Sequence, residues 1–94
     1  MKGNGNAGSE RYVRCKVARG FFESERYVIV ASSSAYVDRG LVRSAVPPIS
    51  GQVDGEVRAY IVLEKGDRAL VELPGQPVVG GLRTWVSKAA LASA

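Results

Sequence analysis

The sequence predicts an all-β protein, a small barrel of five or six strands. Short apolar segments are separated by turns that contain glycine or proline along most of the chain. Almost no segment has the periodicity of an amphipathic helix. The 94 residues suit one domain with a single modest core. Closing the sheet into a barrel is then the natural way to remove exposed strand edges.

The clearest strand pattern lies in residues 55–74, which predict a β-hairpin. Apolar residues occupy alternate positions on both arms: Val57, Ala59, Ile61 and Leu63 before the turn, and Ala69, Val71 and Leu73 after it. This alternation is typical of strands with one buried face. We therefore expect these side chains to form one side of the core.

The turn of this hairpin must bring both apolar rows to the same face, because a shift of one residue reverses every side chain. A three-residue turn that ends at Gly66 satisfies this condition, with the glycine in a left-handed conformation. In this register Ile61 lies opposite Ala69. Arg58 lies opposite Glu72, which predicts a favourable cross-strand pair.

A further strand is predicted over residues 11–18, near the start of the chain. Val13, Cys15 and Val17 form its apolar row, which we expect to face the core. The chain has no histidine that could activate a thiol. Cys15 is therefore expected to be a small buried hydrophobe rather than a nucleophile.

Glycine and serine divide the next part of the chain. Phe21 and Phe22 point to opposite sides of an extended chain, so we expect one in the core and the other over an edge or a barrel end. Residues 27–31 are apolar on both faces, as in a central or sharply bent strand, and 32–34 predict a loop or bend. Turn residues 38–40 separate two short strands, with a short helix as the alternative.

Proline and glycine divide the second half. Residues 47–55 are expected to form a surface loop, because their two prolines remove two ladder donors. Residues 74–77 predict another turn, and 82–86 predict a last strand. Ser87 is expected to cap a terminal helical turn. Short strands of this number and spacing fit an SH3-like barrel better than an immunoglobulin sandwich, which needs about seven strands.

The composition indicates a globular, cytoplasmic protein. The hydrophobic content of 46% is too high for a disordered chain, and no apolar run approaches the roughly 20 residues that cross a bilayer. The N-terminus shows no signal peptide, and a single cysteine agrees with a reducing compartment. Residues 1–9 are expected to be a disordered tail, and 10–94 the domain.

Several kinds of chemistry are excluded by the residues present. One cysteine, no histidine and dispersed carboxylates leave no metal site, and they leave no serine or cysteine nucleophile with a histidine base. No glycine-rich phosphate loop opens a helix. Glu23 and Glu25 are expected to be solvated loop charges rather than an acid–base pair. We therefore expect neither a cofactor nor a metal.

A basic and aromatic surface is the stronger candidate for function. The net charge of +4 lies in residues 1–43, which hold eight basic and four acidic groups. Candidate ligand-binding residues share the outward faces of two strands: Tyr12, Arg14 and Lys16, and Arg58 and Tyr60. Such surfaces bind nucleic acids, although they also keep proteins soluble. The prediction is a non-catalytic binding module for nucleic acid or protein, with self-association through strand edges as an alternative.

The chain ends with the segment LRTWVSKAAL. Trp85 in this segment is expected to plug a mouth of the barrel, with a role in recognition as the alternative. The strand spacing and this ending resemble SH3-like and KOW-type small barrels over residues 11–91. The resemblance implies a binding platform for nucleic acid or protein.

A second resemblance, over residues 26–91, is to the barrels of MazF/PemK-type toxins, a family of histidine-free ribonucleases. It is carried by Arg26 before the apolar segment YVIVAS, by Pro48-Ile49-Ser50, and by Arg83-Thr84. This resemblance implies an endoribonuclease. In it, Arg26 stabilises charge on the scissile phosphate and Ser50 takes the place of the family's threonine.

Overall fold

The computed structural model describes residues 9–92, which form nine β-strands and two single-turn 3₁₀ helices, Arg39–Leu41 and Lys88–Ala90, and no α-helix. The strands are β1 (Glu10–Arg19), β2 (Glu25–Val30), β3 (Ser33–Asp38), β4 (Val42–Ser44), β5 (Val53–Lys65), β6 (Arg68–Glu72), β7 (Gln76–Val79), β8 (Arg83–Ser87) and β9 (Leu91–Ala92). The predicted all-β class is confirmed, but the predicted number of five or six strands is wrong. The sequence does not predict β7 and β9, because β7 contains Pro77 and lies between two glycines and β9 has only two residues.

One antiparallel sheet contains all of these strands. Its order is β7-β3-β2-β1-β5-β6-β8, while β4 also pairs with β5 and β9 with β1. The chain leaves β6, pairs with β3 as β7, and returns to β6 as β8. The Leu73 N–H donates to the Leu82 carbonyl where this excursion begins and ends (2.8 Å). β7 pairs with β3 at one end of the sheet, whereas β6 and β8, its neighbours along the chain, lie at the other end. This connection brings the two ends towards each other, and the sheet curls into a half-barrel.

The longest strand, β5, has three partners. Its first half pairs with β1 and β4, and its second half pairs with β6. At Gly55 these strands approach closely, since a Cβ atom there would lie 2.7 Å from the Ser44 Cβ and 2.8 Å from the Val17 Cγ2. β5 therefore connects the strands β1 and β4 at its start to the hairpin with β6 at its end.

The core inside the curled sheet is built mainly of valine: Val13, Val17, Val28, Val30, Ala35, Val37, Val57, Ala59, Ala69, Val71, Leu73 and Val86. The predicted apolar rows of β1 and of the hairpin are largely confirmed by this set. Branched and small side chains fill the available space. None of the seven aromatic residues is fully buried. The aromatic side chains are therefore left for the surface.

The hairpin turn differs from the prediction. Lys65 lies directly opposite Arg68, so the turn has two residues rather than three, although Gly66 has the expected left-handed φ of 61°. A β-bulge at Val62 supplies the extra residue and moves Leu63 to the outer face. The bulge was not predicted because 60–63 is apolar throughout, so no alternation marks it.

The bulge also changes the register beyond it. Ile61 lies opposite Val71 rather than Ala69. Glu72 therefore lies opposite Tyr60, and the predicted pair of Glu72 with Arg58 does not form. The hairpin is confirmed as an element, and its pairing is corrected by two residues.

The remaining elements follow the sequence more closely. The turn predicted at 38–40 is the 3₁₀ helix Arg39–Leu41, and the carboxylate of its N-cap residue Asp38 accepts from the Gly40 N–H (2.8 Å). Ser87 caps the terminal 3₁₀ turn as predicted. The predicted loop at 47–55 ends earlier, because β5 begins at Val53, and the predicted turn at 74–77 is partly β7.

Of the predicted tail, residues 1–8 lie outside the described residues. The Ser9 carbonyl accepts a hydrogen bond from the Ile61 N–H (2.9 Å), which ties the start of β1 to the hairpin. Within residues 9–92, no helix is long and apolar enough to cross a membrane.

Candidate binding surface

Two loops lie side by side at one end of the half-barrel. The β1–β2 loop contains residues 20–24, and the β4–β5 loop contains residues 45–52. The Arg19 Nε atom donates to the Pro47 carbonyl (2.8 Å), which joins the base of one loop to the other. We call the surface formed by these two loops the loop end.

The loop end exposes large apolar side chains. Phe21 is 79% exposed and Phe22 is 71% exposed, while Val46 and Ile49 on the other loop are 66% and 88% exposed. The prediction that one phenylalanine enters the core is wrong, because the interior is already filled by valine and leucine side chains. Several large apolar side chains exposed on neighbouring loops often mark an interaction site.

The loop that carries the phenylalanines is fixed by hydrogen bonds. The Gly20 N–H donates to the Glu25 carbonyl (3.2 Å), and the Glu25 N–H donates to the Phe22 carbonyl (3.0 Å). The Glu25 carboxylate accepts from the Phe21 N–H (2.9 Å), and the Ser24 carbonyl accepts from the Arg39 N–H (2.8 Å). A loop held in this way presents its side chains without a large ordering cost on binding.

Arg26 supports the same loop from beneath. Its side chain lies in the inner row of β2, 6% exposed, and its guanidinium donates to the carbonyls of Glu23 (3.1 Å) and Glu25 (3.0 Å). Ser50, the other residue of the ribonuclease hypothesis, is exposed in the β4–β5 loop. The Arg26 guanidinium is thus hydrogen-bonded to backbone carbonyls. The catalytic roles of Arg26 and Ser50 stay predictions.

Proline and glycine shape the second loop. Pro47 is buried, whereas its neighbours Val46 and Ile49 point outward. Gly51 has a positive φ of 128°, a conformation that suits glycine. The loop contains no charged residue between positions 45 and 52. Its exposed surface is therefore uncharged, and Val46 and Ile49 are its large apolar side chains.

Aromatic contacts continue from the loop end onto the outer face of the sheet. The rings of Phe21 and Tyr36 have centroids 5.2 Å apart, and those of Tyr36 and Tyr27 are 5.1 Å apart. The Tyr27 hydroxyl is paired with the Ser34 hydroxyl (2.7 Å). Contacts at these distances are favourable and help to orient Phe21.

The two surfaces predicted from the sequence form one outer face. Tyr12, Arg14 and Lys16 on β1 lie beside Arg58 and Tyr60 on β5, with Tyr12 directly opposite Arg58. The sequence could not show this, since the two segments are separated by more than forty residues. The strand pairing brings the five candidate residues together.

Carboxylates neutralise much of this face. Lys16 pairs with Asp54 (2.5 Å), and Arg58 pairs with Glu10 (2.5 Å). Exposed pairs of this kind add little stability, but they offset the charge that would attract a polyanion. Arg14 forms no ion pair among the described residues.

Arg43 adds a further contact on this face. Its guanidinium lies 3.5 Å from the centroid of the Tyr12 ring and also pairs with Glu56 (2.7 Å). Tyr60 is linked to the same network, because a hydrogen bond with Glu10 raises the pKa of its hydroxyl. The aromatic rings here are thus engaged with neighbouring side chains.

A groove of about 700 Å³ lies beside Arg14 and Cys15. It opens where β1 has no neighbour between its pairing with β2 and its pairing with β9. Burial, followed by the charge of Glu56, raises the pKa of Cys15 to about 12. The thiol is therefore protonated at neutral pH, which supports the prediction that Cys15 is not a nucleophile, but its side chain is partly rather than fully buried.

Trp85 does not plug an end of the half-barrel. Thr84 and Val86 point inward, and Trp85 lies on the outer face of β8, 36% exposed. It lines a groove of about 240 Å³ together with Lys65 and Arg68. The sequence does not predict this second exposed surface, because the surface depends on the bulge in β5.

Comparison with known proteins identifies no relative. No family model matches the chain, and neither a curated protein nor a solved structure matches it. Within residues 9–92, no group of three or more histidine, cysteine, aspartate or glutamate residues is placed to hold a metal ion.

Proposed function

We propose that the protein is a non-catalytic binding module of the SH3-like barrel type, and that it binds another protein at the loop end. One observation carries this proposal. Phe21, Phe22, Val46 and Ile49 are 66–88% exposed on two loops that are joined and held by hydrogen bonds. The curled antiparallel sheet of short strands supports the SH3-like assignment.

The energy available at such a surface is substantial. Burial of one side chain of this size contributes about 1.5–3 kcal/mol. Interface hot spots found by alanine scanning contribute about 2 kcal/mol or more each. Two phenylalanines and two aliphatic side chains on preformed loops therefore provide the apolar centre that a specific protein interface requires.

The charges at the loop end favour a protein over a nucleic acid. The β4–β5 loop is uncharged, and Glu23 on the other loop is paired with Arg39 (3.3 Å). Binding to nucleic acids relies on cations that neutralise phosphates. A partner with an apolar pocket matches a neutral apolar surface better.

The proposal is tested with the double variant Phe22→Ser/Ile49→Ser. Val78→Ser/Val79→Ser is the matched control, because it also replaces two exposed apolar residues, on the edge strand β7. The proteins captured by the immobilised wild type are compared with those captured by each of the two variants. The partner found in this way is then purified, and its binding to each protein is titrated by calorimetry. We expect the double variant to weaken binding more than tenfold and the control to leave it unchanged.

Other outcomes would assign the surface differently. Equal affinity of the purified partner for wild type and the double variant would overturn the proposal. Binding to phosphatidylcholine vesicles that the double variant abolishes would assign the loop end to lipid. A sedimentation mass above 10.0 kDa that only the double variant lowers would assign it to self-association.

A further inference from the structure

A second surface lies at the other end of β5, away from the loop end. β5 begins at Val53 beside the loop end and ends at Lys65 in the hairpin turn. At about 3.3 Å per residue, its thirteen residues span roughly 40 Å. The hairpin tip is therefore well separated from the loop end. An inference about the tip does not depend on the function proposed above.

Two cations face each other at this tip. Lys65 and Arg68 are directly opposite in the strand register, and both side chains are exposed. Like charges in this position are unfavourable. None of the ion pairs of residues 9–92 includes either cation: Glu64 pairs with Lys88, and Glu72 pairs with Arg83. In this respect Lys65 and Arg68 differ from Lys16 and Arg58, which are paired with carboxylates, although Asp67 lies in the turn between the two tip cations.

Trp85 lies next to this pair. It is directly opposite Leu70 on β6, and the Arg68 guanidinium is 5.9 Å from the centroid of its ring. The groove of about 240 Å³ that Lys65, Arg68 and Trp85 line is smaller than a typical drug-sized ligand site of about 300–1,000 Å³. A site of this size suits a single flat ring.

The β-bulge at Val62 creates this arrangement. Without an extra residue in β5, the outer face would carry Glu64 in place of Lys65. The bulge turns Leu63 and Lys65 to the same face as Arg68 and Trp85. Bulges that re-aim side chains in this way are common beside functional sites.

We infer that the hairpin tip binds single-stranded nucleic acid. A base stacks on Trp85, and Lys65 and Arg68 contact the phosphates on either side of it. An exposed aromatic ring between cations is the arrangement by which proteins bind unpaired strands, because every base offers a face for stacking. A duplex, whose bases are already stacked, cannot use the tryptophan in this way.

Binding at the tip can be followed by intrinsic tryptophan fluorescence, because Trp85 is the only tryptophan of the chain. Wild type is titrated with a twelve-nucleotide oligothymidylate at 50 mM and at 200 mM salt, and tryptophan fluorescence is followed. We expect saturable quenching. With two phosphates contacted, the affinity falls about sevenfold between these salt concentrations.

Matched variants assign the effect to the tip, with binding followed by anisotropy of a labelled strand. Lys65→Glu/Arg68→Glu and Trp85→Ala are expected to weaken binding more than tenfold, whereas Trp85→Phe keeps most of it. The control is Arg11→Glu, which alters an exposed cation on β1 that forms no ion pair among residues 9–92. Circular dichroism confirms that each variant is folded.

Three results would overturn the inference. The first is an absence of quenching at 50 mM salt. The second is a loss of affinity in Arg11→Glu as large as in Lys65→Glu/Arg68→Glu, which would indicate general charge attraction. The third is equal affinity for a duplex of the same length. None of these results bears on the loop end, which is tested with a protein partner.

Discussion

The Nε atom of Arg19 donates a hydrogen bond of 2.8 Å to the carbonyl oxygen of Pro47. The two residues are 28 positions apart in the chain. Their bond joins the loop that exposes Phe21 and Phe22 to the loop that exposes Ile49. It holds together two segments that neither sequence pattern nor composition connects.

Arg26 is predicted to be a structural residue of this surface. Arg26→Met removes the donor to two loop carbonyls, so we expect the free energy of unfolding to fall by about 2–4 kcal/mol in urea titrations. Arg39→Met is the control. It breaks an exposed ion pair with Glu23 and is expected to cost less than about 1 kcal/mol.

The same variant separates this role from the ribonuclease hypothesis. We expect wild type to leave an RNA substrate intact. Cleavage by wild type that disappears in a fully folded Arg26→Met protein would contradict the structural role and restore Arg26 as a catalytic residue.

Closure of the half-barrel is predicted to depend on Gly75. A Cβ atom at this position would clash with the carbonyl oxygen of Tyr36, and φ is positive (93°). We expect Gly75→Ala to destabilise the protein by about 3 kcal/mol or more by displacing β7. Gly66→Ala, with a φ of 61° and open space around it, is expected to cost only about 1–2 kcal/mol. Equal losses of stability in the two variants, measured by thermal unfolding, would show that the positive φ alone, and not the clash with Tyr36, determines the cost of each substitution.

Ala31 is predicted to carry local strain. It has a φ of 51°, the only positive value at a residue other than glycine within residues 9–92, in the two-residue turn between β2 and β3. Ala31→Gly is expected to stabilise the protein by up to about 1 kcal/mol. Ala45→Gly, in a loop with ordinary φ, should leave stability unchanged or lower it. A loss of stability in Ala31→Gly would show that the turn is not strained.

Cys15 is predicted to be unreactive in the folded protein. Its pKa of about 12 leaves very little thiolate at pH 8, so reaction with a disulfide reagent should be slow and should accelerate in urea. The folded state holds the thiol proton more tightly than the unfolded state. The resulting stabilisation is therefore complete below pH 9 and is lost between pH 9 and about 12.

Unfolding of Cys15→Ala across this range provides the control. This variant should lose the part of the alkaline destabilisation that comes from the thiol. Rapid labelling of native wild type at pH 8 would contradict the buried environment of Cys15.

Local pattern determined much of the fold. Alternating residues predicted β1, the hairpin and the part of the core that these strands supply. The turn chemistry of Gly66 and Ser87 predicted a left-handed residue and a helix cap. These features depend on neighbours in sequence, so residue spacing is enough to reveal them. The exclusion of histidine-based chemistry follows from composition alone.

Only the tertiary structure decided what the surface offers. Lys16 and Asp54 are 38 residues apart, and their pairing neutralises a face that appeared basic in the sequence. The bulge at Val62 placed Lys65 beside Trp85, and a core already filled with valine left Phe22 in solvent. Strand pairing and the curl of the sheet determine which distant side chains meet, and a periodicity of two carries no information about either.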